Sequence, residues 1–201
     1  MVAREYRGMS AAERQADRRE RLLTAAYTLF AGAGYHATTI EQLCAAAHIS
    51  NRAFYESFSS RADLMRAVFR RCVDDTLKAI NQAIDKAPPT FQDRLVAAIE
   101  GYLRFVTEDA RRARLMHLEA RRAADILYEV RREAVQAFTQ VIERAMADLS
   151  HPLPSDRHLL ALGLCGAMTE LVVEWVVSDP APPVDKLIDV TVQMFRGSFL
   201  P

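Results

Sequence analysis

From the tenth residue almost to the last, apolar residues return along this chain at intervals of three and four, the spacing of helices that bury one face. Leu22, Leu23, Ala26, Leu29 and Phe30 mark the first helix. Ser10 and Glu13 stand three apart ahead of it, as in a capping box, and Gly32 and Gly34 end it. Thr38 and Thr39 open a second helix whose inner stripe is Ile40, Leu43 and Ala47. After a short turn at His48 and Ile49, Ser50 caps a brief third helix, Asn51–Ser57, with Phe54 and Phe58 facing inward. Ser59 and Ser60 cap a fourth helix that runs from Arg61 to about Lys86. Pro88 and Pro89 stop it, because proline lacks the donor and disfavours helical geometry before it.

Beyond the prolines the pattern stays helical. Thr90 and Asp93 open a helix carrying Phe91, Leu95, Ile99, Tyr102, Leu103 and Val106. A short amphipathic piece is predicted over 111–119 and a long helix over 120–149. Residues 151–155 read as a loop, and helices over 156–178 and 183–199 close the chain. The predicted fold class is all-α, a small N-terminal three-helix unit followed by a larger helical bundle. The expected division is an arm with the start of the first helix at 1–17, a DNA-binding unit at 18–64 and a bundle at 65–201.

Composition sharpens this picture in two places. The formal net charge of the 201 residues is zero, but residues 1–71 hold 11 Arg against 7 acidic residues, leaving the remainder at −4. The part able to meet a polyanion is therefore the N-terminal third. Arg4, Arg7, Arg14, Arg18 and Arg19 also offer a basic arm or helix for the minor groove or the phosphates, although a solvated tail accounts for them slightly better. Cys44, Cys72 and Cys165 are scattered and odd in number, so neither a zinc site nor a disulfide framework is indicated, and no motif calls for a cofactor. The most apolar stretch, 159–177, is interrupted by Glu170 and Glu174, which reads as a buried helix rather than a membrane span. With a charged N-terminus, a cytoplasmic location is expected.

Two short helices around a tight turn, the second rich in exposed polar groups, describe a helix-turn-helix. The run Thr39-Ile-Glu-Gln-Leu-Cys-Ala-Ala-Ala-His-Ile-Ser-Asn-Arg-Ala-Phe-Tyr-Glu-Ser-Phe-Ser-Ser-Arg-Ala-Asp-Leu64 resembles the signature of the TetR family, T-V-x-x-I-A-x-x-A-G-V-S-x-G-T-L-Y-x-x-F-x-x-K-x-x-L. Identities or close substitutions fall at Thr39, Ile40, Leu43, Ala47, Ile49, Ser50, Phe54, Tyr55, Phe58, Arg61 and Leu64. Leu29-Phe30 and Gly34-Tyr35 resemble the family's first helix and its exit. Three residues depart from it: His48 and Arg52 stand where glycine is usual, and Ala53 replaces a frequent threonine.

The resemblance implies a one-component transcriptional repressor that binds a palindromic operator as a homodimer and is released by a small molecule. It implies DNA contacts from Thr39, Ser50, Asn51, Arg52, Ala53, Tyr55 and Arg61. The chemistry agrees. Asn51 and Arg52 can read base edges, whereas Thr39, Tyr55 and Arg61 suit phosphates. It also implies a ligand site inside the bundle, for which Tyr102, Phe105, Met116, His117, Tyr128, Phe138 and Met168 are the candidates. With no acidic cluster among them, an apolar or aromatic effector is expected. Dimerisation is implied for the last two helices, with Leu164, Leu171, Trp175, Val190 and Met194 as candidates. A ligand is expected to tilt the fourth helix and so alter the spacing of two DNA-binding heads.

Two other functions suit a helical chain of this length. A di-metal helical oxidase needs Glu-x-x-His pairs on facing helices, and the residues three before the five histidines are Ala33, Ala45, Arg114, Asp148 and Ser155. Phosphate-loop and G-x-S-x-G patterns are missing from the sequence as well, so no enzyme is expected. A helical small-molecule-binding protein without sequence-specific DNA binding is the other alternative.

Overall fold

The computed structural model describes residues 10–147, 149 and 156–199. The expected 151–155 loop and the arginines at 4 and 7 lie outside these residues. No strand occurs among the described residues, as the all-α reading requires. The chain divides into two compact units, one ending at Val68 and one beginning at Phe69, and the boundary falls inside a helix.

The N-terminal unit contains α1 (Ala11–Gly32), α2 (Ile40–Ala47), α3 (Asn51–Ser57) and the first turns of α4 (Arg61–Lys86). Its helices start where side chains satisfy orphan backbone groups. Ser10 and Glu13 form a reciprocal capping box, and so do Thr39 and Gln42. α1, α2 and α3 pack on one another around Leu22, Phe30, Leu43, Phe54, Phe58 and Leu64, each at most 2% exposed. Each such side chain contributes roughly 1.5–3 kcal/mol by leaving water.

α2 ends in a left-handed residue. His48 has φ 53° and ψ 48°, and the Ile49 amide reaches back to the Cys44 carbonyl at 3.0 Å. This is the turn position where the sequence departs from glycine, and the turn forms with histidine in it.

The C-terminal unit holds the rest of α4, then α5 (Phe91–Glu108), α6 (Ala110–Ala113), a π-helical segment (Arg114–Glu119), α7 (Ala120–Arg122), α8 (Ala124–Ala147), α9 (Arg157–Val177) and α10 (Val184–Phe199). α5 packs on α8 and α10, while α9 packs on α8, α10 and the π segment. Gly101 lets α5 approach α4 closely, since a Cβ there would lie 2.8 Å from the Ala83 Cβ. The predicted 120–149 helix is corrected at both ends. Ala123, with φ −104° and ψ 34°, separates α7 from α8, and Leu149 lies beyond the helix. A π turn, which adds a residue to the register, lies just before this break.

By length and composition α9 is able to cross a membrane. Within the fold, however, it presents Ala161, Leu164 and Val172 to the interior, and Glu170 accepts from two guanidinium N–H groups of Arg121, on Nη1 and Nη2.

Candidate DNA-reading face and effector cavity

The reading face is built on α3. Ser50 accepts the Ala53 amide at 3.2 Å, which fixes the first turn and leaves the Ser50 hydroxyl proton available to an acceptor. With Phe54 and Phe58 directed inward, positions 51, 52, 55 and 56 face out. Asn51 is exposed, and Tyr55 is 59% exposed with its ring edge-on to Phe54 at 5.3 Å. The Arg52 side chain extends into solvent, and its Nε donates to Glu56 at 3.1 Å. So exposed a pair contributes little, and the guanidinium is easily surrendered to a base edge. Ala53 is half-buried and offers no donor from its side chain.

Two of the expected phosphate contacts are already engaged within the protein. Thr39 accepts the Gln42 amide at 3.2 Å, and its hydroxyl helps hold the neighbouring Glu41 carboxyl below its ordinary range, after the backbone amide of Glu41 itself. Arg61 lies over the Tyr35 ring at 4.4 Å and donates to the Thr38 carbonyl. It thereby ties the start of α4 to the loop before α2, with the remaining N–H groups of its fork still unspent. Sequence reasoning missed the equivalent work of Arg19, whose guanidinium stacks on Phe58 at 4.1 Å and donates to the Ser57 carbonyl at 3.0 Å. Arg18 pairs with Glu56 at 3.7 Å. These two α1 arginines brace the C-terminal end of α3. Only their helical spacing hinted at it.

The C-terminal unit encloses a cavity of about 330 Å³. Five of the seven residues expected there form part of its wall: Tyr102, Met116, His117, Phe138 and Met168. Phe105 and Tyr128 do not. Phe105 is half-buried beneath the Arg112 guanidinium at 3.7 Å, and Tyr128 is 62% exposed on the outer side of α8, opposite the buried Leu127 and Val130. The rest of the wall is mainly aliphatic and aromatic, from Val73 and Ile80 of α4, Leu95 and Ile99 of α5, Val141 of α8 and Phe195 of α10. Asn81, Arg94, Val135 and Arg144 are its exposed members.

Within this lining Tyr102 Oη and His117 Nε2 lie 3.1 Å apart. Burial, then the charges of Arg121 and Arg131, lowers the His117 pKa to about 4, so the ring is neutral at pH 7. Burial also raises the Tyr102 hydroxyl above its ordinary value. All three cysteines are buried free thiols. Burial pushes Cys72 up to about 12 and raises Cys165, which lines the cavity.

Of the residues expected at a dimer interface, Leu164 is buried within its own chain on the side of α9 that meets the bundle, and is unavailable to a partner. Leu171, Trp175 and Met194 are half-buried, with the Trp175 indole donating to the Pro182 carbonyl at 2.9 Å, and Val190 is 50% exposed. Leu159 and Leu162, part of the wide apolar surface that the sequence offers on α9, are exposed too, and so is Val177.

Comparison with known proteins bears on both units. The sequence model of a family described as bacterial regulatory proteins, tetR family, matches residues 22–68. Over 186 residues the chain is 30% identical to the HTH-type transcriptional activator FasR of Mycolicibacterium smegmatis, covering 90% of this chain and 82% of that protein. Among solved structures, the fatty acid degradation regulator FadR of Bacillus halodurans superposes with a TM-score of 0.80 at 18% identity, covering 91% of this chain and 96% of that one. FadR of Bacillus subtilis, solved in complex with stearoyl-CoA, superposes at 0.78 with 16% identity over 88% and 96% of the two chains. A tetR-family regulatory protein from Rhodococcus RHA1 gives 0.73 at 21% identity over 90% and 96%.

Proposed function

Since the chain belongs to the TetR family, and so is a DNA-binding transcriptional regulator, we propose that it works as a homodimer reading a palindromic operator with α3, and that it changes its grip when a small molecule fills the C-terminal cavity. The observation that carries this reading is the contribution of α4. Its first turns supply Leu64 and Met65 to the N-terminal core, and its later turns supply Val73 and Ile80 to the cavity wall. A ligand that prefers one setting of α4 shifts the DNA-binding equilibrium by the difference in its affinity for the two settings, and by no more.

Direct reading falls to Asn51 and Arg52. Ser50, Tyr55 and the spare donors of Arg61 approach phosphates, Thr39 does so by exchanging its bond to Glu41 for one to a phosphate, and Ala53 leaves room beside a base edge. The aliphatic and aromatic wall favours an effector with a long apolar part, and the stearoyl-CoA bound by FadR of Bacillus subtilis makes an acyl chain the leading chemistry. The exposed apolar residues of α9, with Val190 of α10, favour a second copy as their cover, and two heads are needed to meet successive major grooves about 34–36 Å apart. Repression is the sense implied by the resemblance, whereas the FasR relative is an activator. The sense follows from where the operator lies relative to the promoter, so release by ligand is the part assigned to the protein.

The test is selection of duplexes from a random pool, followed by affinities at several salt concentrations with and without long-chain acyl compounds. A palindrome, a steep salt slope, relaxation at one base position by about 1–3 kcal/mol in Arg52→Ala and weaker binding with ligand are expected. Weak binding without sequence preference would leave a helical ligand-binding protein in its place.

A further inference from the structure

The following rests on the reading that the C-terminal cavity holds the effector, and concerns which end of that cavity recognises which chemistry. Tyr102 and His117, 6% and 7% exposed, both belong to the cavity wall and share a single hydrogen bond. One tautomer has the phenol donating to Nε2, which leaves an N–H on Nδ1. The other has Nε2–H donating to the phenol, which leaves the phenol O–H. In either case the pair keeps one donor, and no group among the described residues takes it up. A donor left over on a mainly apolar lining suits a ligand oxygen.

The charge at this end has the matching sign. Arg121 and Arg131 both line the cavity, and both lie within electrostatic reach of the His117 ring. The charge of Arg121 is answered by Glu170. Arg131, half-buried on α8, has neither an ion pair nor a side-chain hydrogen bond among the described residues. This part of a mainly hydrocarbon cavity therefore holds one positive charge without an ion pair among the described residues and one unspent donor.

We propose that the effector is an apolar carboxylic acid whose carboxylate is bound by Arg131 and by the free donor of the Tyr102–His117 pair, with its hydrocarbon body extending along α8 toward Arg144. At 1.5 Å per residue, Arg131 and Arg144 stand about 20 Å apart along α8. An extended chain advances ~1.2 Å per bond, the figure implied by a peptide residue's three bonds, so an acid of up to about sixteen carbons fits this span. An acyl thioester of a bulky coenzyme would lie the other way round, its charged part outside with the exposed Arg94 and Arg144.

Isothermal titration of the full-length protein at pH 7 with dodecanoate, methyl dodecanoate and dodecanoyl-CoA distinguishes these arrangements. The acid is expected to bind at least tenfold more tightly than the ester. Arg131→Met should abolish that difference by weakening the acid alone, whereas Arg94→Met combined with Arg144→Met should leave it intact. An independent readout, which needs no variant, is the His117 ring followed by NMR. Its pKa rises when the acid is bound and is unmoved by the ester. Equal binding of acid and ester with no effect of Arg131→Met would overturn the inference while leaving the cavity as the effector site. So would a thioester that binds most tightly and depends on Arg94 and Arg144. If none of the three binds, both the inference and the acyl-effector reading fall.

Discussion

A neutral histidine in a hydrocarbon wall is a liability in acid. The folded-state pKa of His117, about 4, lies below its ordinary 6.5, so between these values the unfolded chain binds the extra proton. Stability is therefore predicted to fall as the pH drops from about 6.5 to 4, by roughly 3 kcal/mol once both states are protonated. Urea midpoints of wild type and His117→Gln across this range check it: the variant should lack this part of the slope. His48 is the second residue with a calculable burden. Its left-handed conformation costs a non-glycine residue about 1 kcal/mol, partly offset because glycine is more flexible when unfolded. His48→Gly is expected to raise the denaturation midpoint slightly, with the stability gain below 1 kcal/mol. No loss of an ordered contact accompanies it, since His48 is exposed.

At the scale of helices, the start and end signals decide what can be read from sequence. α1 to α5 were legible because each boundary is written in local chemistry: Ser10 with Glu13, Thr39 with Gln42, Ser50, Thr90 with Asp93, the glycines after Phe30 and the prolines after Lys86. The stretch from Ala110 to Arg122 was not, because a π turn has no residue signature and arises from packing in three dimensions. That turn brings Met116 and His117 together on the cavity wall, so the composition of the site was legible while its geometry was not. For the same reason Arg19 and Arg61 could be seen as charges but not as clamps on Phe58 and Tyr35. The close approach of α4 and α5 carries a prediction of its own. Gly101→Ala places a methyl 2.8 Å from the Ala83 Cβ and should cost about 1–3 kcal/mol, read from thermal or urea melts. Because both helices contribute to the cavity, the same variant should also weaken ligand binding.

At the scale of the whole molecule, the exposed apolar side chains of α9 bear on the proposed dimer. Leu159, Leu162 and Val177 are exposed at 65%, 40% and 57% in the single chain, on a helix apolar enough that leaving it uncovered invites aggregation. The expected behaviour is a dimer whose melting temperature rises with protein concentration. Leu162→Asp should shift sedimentation toward a monomer and remove the preference for a palindrome over a half-site. A melting temperature independent of concentration, with a monomeric sedimentation coefficient at micromolar protein, would count against it. The buried thiols lead to a different kind of consequence. Cys165 lines the cavity proposed for the effector and is buried, while Cys44 lies in the core of the other unit. A thiol-reactive dye can reach either one only when its surroundings breathe. The rate at which Cys165 is tagged is thus a gauge of how often the cavity opens, slowed by a bound effector, and the rate at Cys44 supplies a clock for the DNA-binding unit within the same experiment.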